Sequence, residues 1–113
     1  MHELSIACEV ISLTREAMTK HHLTRVDEIG IRVGALSGIN ADALSFGFDA
    51  AKIDTPLADS KLVIEQVPTD GICHSCGKRF QVEEFVFACP HCSSRDIAVV
   101  RGEELEMKYL VGE

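Results

Sequence analysis

Residues 73–92 read Cys73-His74-Ser75-Cys76-Gly77-Lys78-Arg79-Phe80-Gln81-Val82-Glu83-Glu84-Phe85-Val86-Phe87-Ala88-Cys89-Pro90-His91-Cys92, two C-x-x-C pairs with twelve residues between them. Two residues between cysteines let a tight turn aim both sulfurs at one ion, and a second such turn completes the tetrahedral set that zinc prefers. Gly77 suits the release of the first turn. Cys73, Cys76, Cys89 and Cys92 are therefore read as a structural zinc site. Four thiolates leave no coordination position for water or substrate, so the ion holds structure and performs no chemistry. A thiol–disulfide couple and plain core cysteines are the competing readings, but the double spacing disfavours both and redox C-x-x-C motifs usually come singly. A zinc hydrolase would need an open position and an activated water. His74 and His91 lie inside the two turns and are read as outward-pointing surface residues that could serve as substitute ligands. Cys8, between Ala7 and Ile11 of an apolar stripe, is read as a small buried hydrophobe.

Outward from this motif, the chain has 113 residues, 46% hydrophobic and 26% charged, the profile of one small globular core with a metal-held lobe. The net charge is -7. Residues 1–70 carry 6 basic and 11 acidic side chains, 71–95 carry 3 and 2, and 96–113 carry 2 and 5. No segment is a basic patch, which argues against a zinc-ribbon module bound to nucleic acid. A zinc-ribbon protein- or nucleic-acid-binding module is nonetheless the alternative function class. No stretch reaches membrane-spanning length and the opening Met1-His2-Glu3-Leu4 lacks a signal-peptide pattern, so a cytoplasmic protein is expected. In a reducing compartment, paired C-x-x-C motifs favour metal over disulfides.

Apolar residues at Ile6, Ala7, Val10, Ile11, Leu13, Ala17 and Met18 predict an amphipathic helix from Glu3 to about His22. The period then changes to two. Ile29, Ile31, Val33 and Ala35 alternate with Glu28, Gly30, Arg32 and Gly34, which predicts a central strand over 25–35. Asn40 is a suitable N-cap for a second helix from Ala41 to about Lys52, with Leu44, Phe46, Phe48 and Ala51 supplying its bulk. Lys61 to Val67 reads as a strand. Ile97 to Val100 and Leu105 to Val111 read as two more, turning at Gly102, with Leu105, Met107, Tyr109 and Val111 on one face. Two helices on one face of a small mixed sheet would bury these stripes, with the metal module as an insertion whose ends return to that sheet.

Met1-His2-Glu3 contains a chelating arrangement that interior residues cannot provide. A free amine, the His2 amide nitrogen and the His2 imidazole can close adjoining chelate rings, and a deprotonated amide favours square-planar nickel or copper. Glu3 can add an oxygen. The initiator methionine is expected to stay in place before a residue as large as histidine, so the amine belongs to Met1.

The chain resembles the HypA/HybF family of nickel metallochaperones of hydrogenase maturation over essentially its full length. The resemblance rests on Met1-His2-Glu3 followed directly by a helix, on Ile31-Arg32-Val33-Gly34-Ala35-Leu36-Ser37, and on the two cysteine pairs, the second as Cys89-Pro90-x-Cys92. It implies an α+β fold: a small mixed three-stranded sheet with two helices on one face, plus an inserted zinc-ribbon-like lobe. The implied division is a nickel-binding lobe, 1–68 with 103–113, and a zinc-binding lobe, 69–102. It implies nickel held by His2, Met1 and Glu3, structural zinc on the four cysteines, and no catalytic activity. The implied work is delivery of Ni(II) to the immature large subunit of a nickel-iron hydrogenase. A HypB-type GTPase is the implied partner, with urease maturation proteins as further partners of some members. Some relatives carry an acidic residue where this chain has Asn40, which stays outside the expected site.

Overall fold

The structure, a computed structural model, describes residues 2–113, and for residue 2 the backbone alone. The first helix, α1, spans His2–Lys20, and β1 follows at Val26–Gly34. A short 3-10 turn, Ala35–Ser37, leads to α2 at Ala41–Ala51, then β2 at Lys61–Val67, β3 at Asp70–Cys73 and β4 at Arg79–Gln81. The chain ends with β5 at Ile97–Arg101 and β6 at Leu105–Gly112.

Local chemistry sets the helix ends. α1 stops in a Schellman arrangement: His22 turns left-handed (φ 56), the Leu23 N–H donates to the Met18 carbonyl at 2.8 Å, and the His22 N–H donates to Thr19. α2 starts where the Asn40 side chain accepts from the Ala43 N–H at 2.9 Å, as the sequence predicts.

Strand order in the first sheet is β2-β1-β6, with β1 in the centre. β1 runs parallel to β2 and antiparallel to β6, so the sheet is mixed, and α2 supplies the crossover that a parallel pair requires. Ala7, Val10 and Ile11 of α1 and Leu44 and Phe48 of α2 share one buried cluster with Ile29, Ile31 and Val33 of β1. Every buried member of that cluster lies between Ala7 and Leu57. The second sheet, β4-β3-β5, is antiparallel throughout.

Several expectations are corrected. Phe46 does not join the core; it is 78% exposed, because the packed face of α2 is formed by Leu44, Gly47 and Phe48. Cys8 is exposed and not buried: it falls one turn from Leu4 and Ser12 on the solvent side of α1, 100° from Ala7 on the helix. Gly102 is not a hairpin turn. β5 and β6 flank it but belong to different sheets, so the chain there passes from one lobe to the other. β3 and β4, 4 and 3 residues long, fall within the expected metal module and have too few positions to show a period.

The predicted face of β6 also fails, for one reason. Gly30 pairs with Tyr109 but Ile31 pairs with Met107, so Lys108 is an extra residue on β6. A bulge shifts the alternation by one and sends the side chains beyond it to the other face. Met107 and Leu110 pack on the helix side against the core, while Tyr109 lies over Gly30 on the opposite side. There its hydroxyl donates to Glu28 Oε2 at 2.5 Å.

The helices meet at Gly47. A Cβ built there would sit 3.5 Å from Leu4 Cα, 3.7 Å from Ala7 Cβ and 3.7 Å from the Glu3 carbonyl, ordinary contact distances. Since alanine fits and is the better helix former, Gly47→Ala should raise unfolding stability by about 1 kcal/mol, readable as a higher urea midpoint at unchanged slope. A larger side chain at the same place would displace the start of α1.

Candidate metal centre

The four cysteines arrive from two similar turns. β3 ends at Cys73, whose carbonyl accepts from the Gly77 N–H at 2.7 Å, while the Cys73 N–H donates to Lys78 at 3.0 Å. The second turn repeats this: the Ser93 N–H donates to the Cys89 carbonyl at 2.9 Å and the Cys89 N–H donates to Ser94 at 2.8 Å. Gly77 (φ 76) and Ser93 (φ 63) hold equivalent left-handed positions, an easy one for glycine and a strained one for serine. Ser75 and Ser94 hydroxyls, 2.9 Å apart, tie the two turns together.

All four sulfurs lie within 4.8 Å of one another. Cys73 Sγ is 3.5 Å from Cys92 Sγ, and Cys76 Sγ is 3.6 Å from Cys89 Sγ. Zinc–sulfur bonds of about 2.3 Å in a tetrahedron require edges of about 3.8 Å, so the donor set fits zinc closely. Cys73 and Cys89 are buried and Cys76 and Cys92 exposed, which closes one side of the site to solvent.

Without an ion, these thiols compete. The Cys76 backbone N–H, against the upward push of burial and with help from the Cys92 sulfur and the Ser75 N–H, brings Cys73 down to about 6. Burial pushes Cys89 up, but the backbone N–H groups of His91 and Cys92 prevail and its thiol ends lower than usual. Cys92 rises to about 12: the Ser94 N–H favours its thiolate, but hydrogen bonds with the neighbouring sulfurs and burial together outweigh it. A dication is what allows all four to ionise together.

His74 and His91 are exposed, and His74 Nδ1 lies 3.1 Å from Asp96 Oδ1. Neither is drawn into the cysteine cluster, which among the described residues comprises Cys73, Cys76, Cys89 and Cys92.

At the other end of the chain, Met1 and the His2 imidazole lie outside the described residues. Glu3 is described, and its place was not visible in the sequence. Glu3 Oε2 accepts the Asn40 N–H at 3.1 Å, which holds the carboxyl down at about 2. The first turn of α1 is thereby fastened to the N-cap of α2. Asn40 thus has two structural duties: its side chain caps α2 and its backbone holds Glu3. A signal existed only in hindsight, as a carboxylate and an N-cap residue 37 positions apart.

The sequence model of the family described as "Hydrogenase/urease nickel incorporation, metallochaperone, hypA" matches residues 1–111. The chain belongs to the HypA family. It is 41% identical over 110 residues to a hydrogenase maturation factor HypA of Geobacter metallireducens, 97% of each chain being covered. It is 34% identical over 113 residues to hydrogenase maturation factor HybF of Klebsiella pneumoniae, covering both chains completely. Two solution structures share the fold. One, of a HypA protein, has a TM-score of 0.73 at 20% identity, covering 100% of this chain and 97% of that one. The other, described as the Ni metallochaperone HypA from Helicobacter pylori, has a TM-score of 0.64 at 18% identity, covering 96% and 94%. HypA membership makes this chain a nickel incorporation metallochaperone of hydrogenase maturation with a four-cysteine metal site. Among the described residues, no helix is long and apolar enough to cross a membrane.

Proposed function

We propose that His2, Glu3 and the amine and amide nitrogens of Met1-His2 hold the nickel, while Cys73, Cys76, Cys89 and Cys92 hold a structural zinc. The observation that carries the nickel assignment is the Glu3–Asn40 contact at 3.1 Å, which fixes the start of α1 on the second helix. The protein passes Ni(II) to the immature large subunit of a nickel-iron hydrogenase, works with a HypB-type GTPase, and can extend to urease maturation proteins. It acts in the cytoplasm and catalyses no reaction itself; a zinc ion with four thiolates has no position for an activated water. The acidic surface offers nucleic acid no counterion-releasing patch.

The same reading divides the chain into a nickel-binding lobe, 1–68 with 103–113, and a zinc-binding lobe, 69–102. What supports the division is that β2 and β6 both flank β1, while β3, β4 and β5 pair only with one another.

Isothermal titration with nickel tests the assignment. The zinc-loaded protein is expected to bind one Ni(II) tightly, and His2→Ala to weaken this by about a hundredfold or more, since even indirect supports of a metal ligand are worth about 10–100-fold. Equal affinity and stoichiometry in the variant would remove His2 from the site.

A further inference from the structure

The four sulfurs of the cluster are unequally placed. Cys76 and Cys92 are exposed, while Cys73 and Cys89 are buried. Two close sulfur contacts each join an exposed cysteine to a buried one, and both run between the turns. Cys92 Sγ lies 3.5 Å from Cys73 Sγ, and Cys76 Sγ lies 3.6 Å from Cys89 Sγ. The two pairs share no member, so both can close in one molecule. A disulfide holds its sulfurs about 2.05 Å apart, so each pair has to approach by about 1.5 Å.

Groups other than sulfur also face the first turn to the second. The Ser75 and Ser94 hydroxyls are 2.9 Å apart, the His74 N–H donates to the Asp96 carbonyl at 2.9 Å, and Cys73 stands opposite Ile97 in the β3–β5 ladder. We infer that the cluster is a redox-sensitive clasp: peroxide attack on the exposed sulfurs replaces the zinc bonds by two disulfides between the turns, Cys73–Cys92 and Cys76–Cys89, and the lobe stays folded without the metal.

Thiolate character and exposure decide which sulfur an oxidant reaches, and a resolving cysteine beside it completes a disulfide. The Cys92 thiolate attacks hydrogen peroxide, the O–O bond breaks, the sulfur becomes a sulfenic acid and hydroxide leaves. The buried Cys73 thiolate then attacks that sulfur, the S–O bond breaks, and hydroxide leaves again as the S–S bond forms. Each disulfide gives up two electrons and consumes one peroxide. Cys76 and Cys89 repeat the sequence, and loss of the thiolate donors frees the zinc. A dithiol reverses both links by thiol–disulfide exchange and regenerates the four zinc donors. In a reducing compartment such disulfides are transient, which suits a switch and not a permanent bridge. The pairing matters, because a disulfide confined to one C-x-x-C turn would leave the two turns without a covalent link.

The clasp rests on the zinc reading of the cluster, so the zinc content of the protein is measured before any oxidant is added. The outcomes that follow are read on zinc-loaded protein and test the clasp itself. Cys8→Ser removes the exposed thiol of α1, which would compete for peroxide. In this variant, zinc release to a chromogenic chelator should be complete at about two equivalents of hydrogen peroxide per chain. Trypsin cuts after Lys61, Lys78, Arg79 and Arg95, and should leave residues 62–78 and 80–95 joined in one species that a reductant separates. Fragmentation of that species should place the links at Cys73–Cys92 and Cys76–Cys89. Amides of 70–101 should keep dispersed 1H–15N shifts in the oxidised, zinc-free protein, and dithiothreitol with zinc should restore the starting spectrum. Disulfides in any other pairing, sulfinic acid in place of disulfides, or random-coil shifts after zinc release would overturn the inference.

Discussion

Replacing Cys73 or Cys89 by serine is expected to remove the zinc and, with it, the ordered structure of residues 69–102. The reason lies in where apolar burial is found. The buried core cluster draws on α1, β1, α2 and Leu57 and on nothing beyond. In the zinc lobe, burial amounts to Val82, Thr69, Gly71, Gly102 and the two inner cysteines, around strands of 4, 3 and 5 residues. Such a lobe is too small to fold on hydrophobic burial, whereas a structural zinc site contributes on the order of 10 kcal/mol. In 1H–15N spectra, amides of 70–101 should collapse to random-coil shifts in the serine variants, while helical signals of α1 and α2 persist. Persistence of the β3–β4–β5 pattern without metal would show that the strands hold themselves.

Acid should act in the same direction. Zinc must displace protons from the cluster, above all from Cys92, whose thiol without metal ionises only near 12. Affinity therefore rises with pH and falls as protons compete, even though Cys73 is already lowered to about 6. Release of zinc to a chelator should be faster and more complete at mildly acidic pH than at neutral pH. Glu3 behaves oppositely to a late-titrating group: its contact is present above the ordinary carboxylate range and is lost only as pH falls toward about 2. Loss of zinc should thus precede any release of the first turn of α1.

The second large effect is expected at Gly34. A Cβ at this position would lie 2.0 Å from the Gly102 carbonyl oxygen and 2.7 Å from the Glu103 nitrogen. Both are backbone atoms of the segment that returns from the zinc lobe, and neither can turn aside. The same crossing is bonded tightly: the Leu36 N–H donates to Gly102 at 2.8 Å and the Gly34 N–H donates to Glu104 at 2.7 Å. Gly34 itself has ordinary extended angles (φ -74, ψ 147), so alanine's difficulty is space and not conformation. Gly34→Ala should destabilise by about 3 kcal/mol, lowering the melting temperature by roughly 10 °C or more with zinc content unchanged. Gly30→Ala should cost less. The three atoms nearest its Cβ all belong to the Tyr109 ring, the first at 2.1 Å, and a half-buried side chain can swing aside at the cost of its bond to Glu28 where backbone cannot. Equal melting points for the two variants would refute this account of the crossing.

The parts of the molecule legible in the sequence are those encoded by local spacing. Cys73-x-x-Cys76 and Cys89-x-x-Cys92 gave the donor set because a turn of two residues aims sulfurs whatever surrounds it. Asn40 was visible as an N-cap because capping is settled within three residues, and β1 was visible as a two-residue alternation from Glu28 to Gly34. The tertiary structure decided what depends on distant backbones meeting. Lys108 reads like any strand residue, yet its bulge against β1 reverses the face on which Tyr109 lies. Gly102 reads like a turn, yet it is where two lobes cross against Gly34. Glu3 reads as an acidic residue in a first helical turn, yet Asn40 fixes its carboxylate and so ties the first turn of α1 to α2. Spacing within one element is determined by covalent geometry and is written in the sequence. Approach between elements is determined by packing, which is known only once the chain has folded.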